Sequence, residues 1–149
     1  MTHNETKPFK SINDVKEEII REFQELDDVD AKYMHLFQLG ADMPPMEPAL
    51  KMDQNLVHGC QSKLWFYLAE NDGKLTLSAD SDSLVIKAIA ALLARLIEGR
   101  SPEEVQTINL DFIDELKIWK LASERNNGLI AMLEHIKEQA KQMTAVNTQ

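Results

Sequence analysis

Apolar residues recur at three- and four-residue intervals near the start of the chain: Ile12, Val15, Ile19, Ile20, Phe23 and Leu26. That spacing predicts an amphipathic helix running to about Glu25. Ser11 precedes it as an N-cap, with Asp14 three residues on. Asp27, Asp28 and Asp30 then interrupt the pattern. A second helix carries Tyr33, Met34, Leu36, Phe37 and Leu39, and is expected to stop at Gly40, a residue type favoured just past a helix end. The run Met43-Pro44-Pro45-Met46-Glu47-Pro48 fits neither regular helix nor central strand. It reads as a loop leading into a first strand near residues 51–58.

From Lys63 to Glu70 both faces are apolar, with Leu64, Phe66 and Leu68 on one and Trp65, Tyr67 and Ala69 on the other. A strand covered on both sides has that composition. Asn71-Asp72-Gly73 is a hairpin signal. Residues 74–80 then alternate, Leu75, Leu77 and Ala79 against Lys74, Thr76, Ser78 and Asp80. Asp80-Ser81-Asp82-Ser83 offers caps for a helix from Leu84 to Glu98 that is apolar nearly all round, and Gly99 ends it. Ser101-Pro102-Glu103-Glu104 is a capping box with proline at the first helical position, which starts a short helix. Phe112, Ile113, Leu116, Ile118 and Trp119 suggest another helix. The last carries Leu129, Ile130, Met132, Leu133 and Ile136 and frays after about Gln142. Helices, a three-stranded antiparallel meander, then helices predict an α+β fold, one small sheet packed with helices.

At 149 residues the chain is long enough for one domain with a sizeable core. Residues 11–142 are expected to form it, between disordered flanks at 1–10 and 143–149. The net charge of −9 argues against nucleic acid as a partner, because phosphates demand clustered Lys and Arg. It argues equally against a polybasic membrane anchor. The first ten residues lack the apolar centre of a signal peptide. The longest apolar run, 84–97, is interrupted by Lys87 and Arg95 and is too short to span a bilayer. The single cysteine excludes an internal disulfide framework and a multi-cysteine zinc site. A cytoplasmic, reducing location is expected.

That cysteine, Cys60, lies in Leu56-Val57-His58-Gly59-Cys60-Gln61-Ser62-Lys63-Leu64-Trp65-Phe66. A small polar turn between apolar segments presents the residue at its tip, and here that residue is a thiol. Gly59 permits a sharp turn beside the sulfur. His58 and Lys63 are near enough in sequence to lower the thiol pKa if the fold turns them inward. The residues leave a second reading open, in which Cys60 is a buried structural thiol and the chain is a non-catalytic adaptor docking through its acidic surface.

His58 and Cys60 together supply two metal ligands where three or four are needed, and His3, His35 and His135 lie far off in sequence, so no metal is expected. His35 and His135 fall on helix faces beside apolar residues, the setting of a structural histidine rather than a hydrolase base. Neither a nucleophile elbow nor a phosphate-binding loop occurs. A thiol reductase would want a resolving cysteine, and an iron–sulfur scaffold several ligands. What one thiol can do alone is attack a sulfur, hold it as a persulfide and pass it on, without a cofactor. Arg125, in Ser123-Glu124-Arg125-Asn126-Asn127-Gly128-Leu129, begins the last helix, where a cation opposes the helix dipole. It is either held for a partner or paired on the surface. Asp80 and Asp82 read as helix caps.

The string Val57-x-Gly59-Cys60-Gln61-Ser62-x-Leu64-Trp65 resembles the signature of the SufE family, which accepts sulfur from a cysteine desulfurase. Lys32-Tyr33 through Leu39-Gly40 with Met43-Pro44, Asp80-Ser81-Asp82, and Leu121 to Leu133 with Arg125, Asn127 and Gly128 are similar to that family's other segments. Roughly residues 10 to 140 are covered. The resemblance implies a fold like that of IscU-type scaffolds and no bound cofactor. It implies Cys60 as the sulfur acceptor, supported by His58, Gly59, Gln61 and Ser62. It places Asp82 and Arg125 near the acceptor or the desulfurase interface. The implied partners are a SufS-type cysteine desulfurase as donor and an iron–sulfur assembly scaffold as recipient. Two positions depart from the family pattern: Lys32 stands for a common Arg, and Glu124 for a small hydroxyl residue beside Arg125. The sulfur is further expected to shelter against apolar neighbours and to swing out on docking.

Overall fold

The computed structural model describes residues 10–57, 63–116, 118 and 130–143. Helix α1 spans Ile12–Gln24 and opens with the predicted capping box. The Asp14 amide donates to Ser11 Oγ at 3.0 Å and the Ser11 amide to Asp14 Oδ2 at 3.3 Å. Helix α2 spans Val29–Ala41, and the acids that end α1 begin it: Asp28 accepts from the Ala31 amide at 2.7 Å. Gly40 does not lie past the end of α2, as its sequence position suggests. It sits inside the helix and is buried against the backbone of Lys87 and Ala88. The signal was misleading because a glycine near a helix end serves equally well as a site of close backbone approach.

Strands β1 (Leu64–Asn71) and β2 (Lys74–Ser81) form an antiparallel hairpin, in register from Leu64 opposite Ser81 to Asn71 opposite Lys74. Asp72 and Gly73 both have positive φ, 56° and 80°, as a tight two-residue hairpin turn requires. Among the described residues the sheet has two strands, not the three expected. The stretch before the cysteine segment forms two 3₁₀ turns instead, Pro48–Leu50 and Asp53–Asn55. Pro48 starts the first. Asn55 turns its side-chain amide back onto Leu50 O at 2.8 Å, so local polar bonds replace a ladder. Among the described residues, pairing is limited to the bridge of Leu56 with Trp65 and a 2.8 Å bond from the Val57 amide to Leu64 O.

That shortfall also changes β1. Its inner residues Leu64, Phe66 and Leu68 are buried, but Trp65 is half-buried and Tyr67 exposed. The strand is thus covered on one face, not both. Leu75, Leu77 and Ala79 complete the inner face from β2. Helix α3 (Leu84–Ile97) packs on that face and takes α2 on its other side. Its all-round apolar composition reflects this central position, with Ile86, Ile89, Leu92, Leu93 and Leu96 fully enclosed. Ser83 caps it, accepting from the Ile86 amide at 3.2 Å. Gly99 ends it at φ 80° and donates to Leu75 O at 2.9 Å. Ser101 and Glu104 form the predicted box around the short α4 (Pro102–Val105). The expected helix near Phe112 is a 3₁₀ segment, Asp111–Leu116, that packs on α1. Residues 130–143 form α5, which buries Met132, Leu133, Ile136 and Ala140. Among the described residues no helix is long and apolar enough to cross a membrane.

A bidentate pair ties α1 to α3: Arg95 Nη1 and Nη2 donate to Glu22 Oε1 and Oε2 at 2.9 and 2.7 Å. Arg95 holds the Glu22 carboxyl below its ordinary value of 4.5, against partial burial, which raises it. Because the folded value is the lower one, the pair's stabilisation is complete above about pH 4.5 and fades as the pH falls through the folded value. The pair is about a third exposed, so screening limits it to at most about 1 kcal/mol. Thermal unfolding of Glu22→Gln beside the parent is expected to show a deficit at pH 7 that closes toward pH 3. A deficit independent of pH would refute the assignment.

Candidate functional site

The chain leaves the described residues at Val57 and returns at Lys63, with the Gly-Cys-Gln-Ser string between. Both stems are fixed to the hairpin. The first is held by the Leu56–Trp65 bridge and the Val57 amide bond to Leu64 O. The second is held by three consecutive contacts from the end of β2. The Lys63 amide donates to Asp82 Oδ1 at 3.0 Å, the Asp82 amide donates to Lys63 O at 3.3 Å, and Ser81 Oγ donates to Lys63 O at 2.6 Å. Ser81 Oγ also accepts from the Ser83 amide at 3.0 Å, which joins this stem to the cap of α3.

Asp82 is therefore not a helix cap. It is an exposed carboxylate bonded to the backbone at the residue where the cysteine segment rejoins the sheet. Asp80 is not a cap either. It accepts from Lys51 Nζ at 2.5 Å and lies 3.7 Å from Lys87 Nζ, and its Oδ1 takes the Ser81 amide at 2.8 Å. Partial burial pushes the Asp80 carboxyl up, but Lys51, the Ser81 amide and Lys87 together hold it below its ordinary value. Lys51 Nζ also lies 5.6 Å from the centroid of the Trp65 ring, within cation–π range. Sequence reasoning missed this cluster. The hairpin register counted from Asn71-Asp72-Gly73 puts Asp80 opposite Trp65, but nothing in the spacing brings Lys51 there.

Of the residues singled out from sequence, His58, Gly59, Cys60, Gln61, Ser62 and Arg125 lie outside the described residues, as does the expected shelter for the sulfur. The helix-face histidines are structural in their surroundings. His35 bonds Glu22 at 3.1 Å and meets Phe23 edge-on, and His135 meets Phe66 edge-on at 4.9 Å. Among the described residues no three His, Cys, Asp or Glu side chains are grouped to hold a metal ion.

Residues 17–140 match the profile of the SufE family, described as an Fe–S metabolism associated domain. The chain belongs to the SufE family. It is 31% identical over 141 residues to SufE-like protein 1, chloroplastic/mitochondrial, of Arabidopsis thaliana. That match takes in 93% of this SufE chain, which spans only 38% of the plant protein's length. The fold is shared with the solution structure of a hypothetical protein from Thermus thermophilus, at a TM-score of 0.73 and 24% identity, covering 88% of this chain and 96% of that one. A NifU-like protein N-terminal domain from Brucella abortus matches at a TM-score of 0.46 and 15% identity, covering 76% and 92%, a likeness too slight to bear on the fold. The expected similarity to IscU-type scaffolds thus rests on the family resemblance alone.

Proposed function

We propose that this SufE-family chain is a sulfur acceptor and carrier, with Cys60 as the residue that holds the sulfur. The observation that carries the reading is the placement of the cysteine string between two stems pinned to one hairpin, in a chain of a family associated with Fe–S metabolism. A nucleophile that must meet two large partners belongs on a short segment projecting from a rigid scaffold. The donor is a SufS-type cysteine desulfurase carrying a persulfide on its own cysteine. The Cys60 thiolate attacks the outer sulfur, a new S–S bond forms on Cys60, the old S–S bond breaks, and the desulfurase thiolate leaves. The sulfur then passes to an iron–sulfur assembly scaffold in a reducing compartment, the cytoplasm in this reading. His58 and Lys63 favour the thiolate. Gly59, Gln61 and Ser62 shape the segment. Asp82 and Arg125 line the docking face.

The chain alone is expected to release no sulfide from free cysteine and to raise desulfurase turnover several-fold when added. Alkylation of Cys60 with iodoacetamide separates this from the adaptor reading, in which the thiol is inert. A sulfur acceptor whose thiol is sheltered in the free chain and swings out on docking is alkylated slowly alone, and its rate changes when the desulfurase is added. Resistance to alkylation in both settings would favour the adaptor.

A further inference from the structure

A groove of about 270 Å³ opens between α2 and α3. Its floor is apolar: Leu39 and Met43 from α2, Ala91 and Ala94 from α3. The two alanines are three residues apart and share a helix face, and their short side chains leave space that larger residues would fill. Asp42, Arg95 and Glu98 form the rim. Asp42 is the C-cap of α2 and Glu98 the C-cap of α3, so both helices end at this groove. A helix C-terminus is the negative end of its dipole, and a carboxylate there has the wrong sign. Cations in the last turn would offset it. The last turn of α2 has none, and that of α3 has Arg95 alone. Arg95 is committed elsewhere, its Nη1 and Nη2 to Glu22 at 2.9 and 2.7 Å, with Glu18 at 3.8 Å. Among the described residues Asp42 and Glu98 have only neutral side-chain donors. The Gln38 amide donates to Asp42 Oδ1 at 2.8 Å, and the Thr76 hydroxyl to Glu98 Oε2 at 3.3 Å.

We infer that this groove docks a basic segment of another protein, with an apolar side chain seated between α2 and α3 and a Lys or Arg beside it at Asp42 and Glu98. Charge selects the occupant. Two helix C-termini and two carboxylates put negative potential at the edge of an apolar floor, in a chain of net charge −9. Covering that floor excludes water from the rim, which strengthens an ion pair formed there. A wholly apolar partner would strip water from both carboxylates and give nothing in return. A second copy presenting the same groove would set like charges against each other. A small free cation would leave the floor exposed. Grooves between packed helices take apolar anchors from a partner segment, and flanking charges choose which partner. The site stands apart from the sulfur-carrier reading and does not depend on it.

The test titrates the full chain, labelled with nitrogen-15, with the peptide acetyl-Lys-Leu-Lys-Lys-Leu-Lys-amide at physiological salt. Saturable shifts are expected at the amides of Leu39, Met43, Ala91 and Ala94. A peptide with serine for both leucines should bind about fivefold more weakly or worse, since it keeps the charge and loses the anchor. The double variant Asp42→Asn with Glu98→Gln keeps both neutral hydrogen bonds and should also weaken the leucine peptide about fivefold or more. Its melting temperature should rise by a few degrees, because the wrong-sign charges at two helix ends are gone. Ala94→Leu, which fills the floor, should abolish the shifts. Should Ala94→Leu fail to fold, the double variant and the serine peptide still decide. No saturable binding at millimolar peptide, or equal binding of the two peptides, would overturn the inference. So would self-association of the chain through the groove, equal shifts with spermidine, or a lower melting temperature in the double variant.

Discussion

Cys60→Ser is expected to reduce desulfurase stimulation to the level seen with no chain added, while the melting temperature stays within a few degrees of the parent. The hydroxyl that replaces the thiol is nearly the same size, so a mild stability effect is expected. Chemically the change is total. A serine hydroxyl is not ionised near neutral pH and makes no persulfide, whereas a thiolate attacks a disulfide-like sulfur directly. The chain has no second cysteine to substitute for Cys60, so residual transfer through another residue is not available. Turnover measured with saturating chain decides the point. Full stimulation by Cys60→Ser would mean that the chain acts by docking alone.

The second large effect lies far from the cysteine. A methyl group built on Gly40 would sit 3.0 Å from both the Cα and the amide nitrogen of Ala88, and 3.3 Å from the Lys87 carbonyl carbon. These are backbone atoms at the crossing of α2 and α3, so no side chain can rotate out of the way. The helices must part by a few tenths of an ångström along a contact that runs through the centre of the core. Overpacking of that kind costs about 1–3 kcal/mol. Alanine returns up to about 1 kcal/mol through its better helix propensity. The net expectation for Gly40→Ala is a loss of about 1–2 kcal/mol, a fall in melting temperature of several degrees. Thermal unfolding at neutral pH checks it. An unchanged or raised melting temperature would mean that α2 and α3 yield at no cost.

What could be read from the residues follows from which interactions are local. The capping boxes at Ser11 and Ser101, the Asp72-Gly73 turn and the Gly99 stop each depend on residues three or four apart, and each appears in the fold. The buried α3 was legible for the same reason, since an all-round apolar helix has few places to go but the centre. The third strand was not. Its apolar positions permit a ladder, but Pro48 and the polar Asp53-Gln54-Asn55 close 3₁₀ turns first, and among the described residues only Leu56 and Val57 pair with the backbone of β1. Gly40 was misplaced because its meaning lies in Ala88, far along the chain. Asp80 and Asp82 show the same limit at the candidate site. From sequence they are acids before a helix, but Ser83 takes the cap, while Asp82 bonds the Lys63 amide at the second stem and Asp80 pairs with Lys51.

Those stems matter only if the segment between them handles sulfur, and one measurement bears on that directly. Intact mass of the chain after incubation with a SufS-type desulfurase and free cysteine, without reductant, should show one added sulfur atom. Peptide fragmentation should place it on Cys60, and treatment with a thiol reductant should remove it. A chain that keeps its original mass while the desulfurase turns over, or gains sulfur at some other residue, would contradict the account.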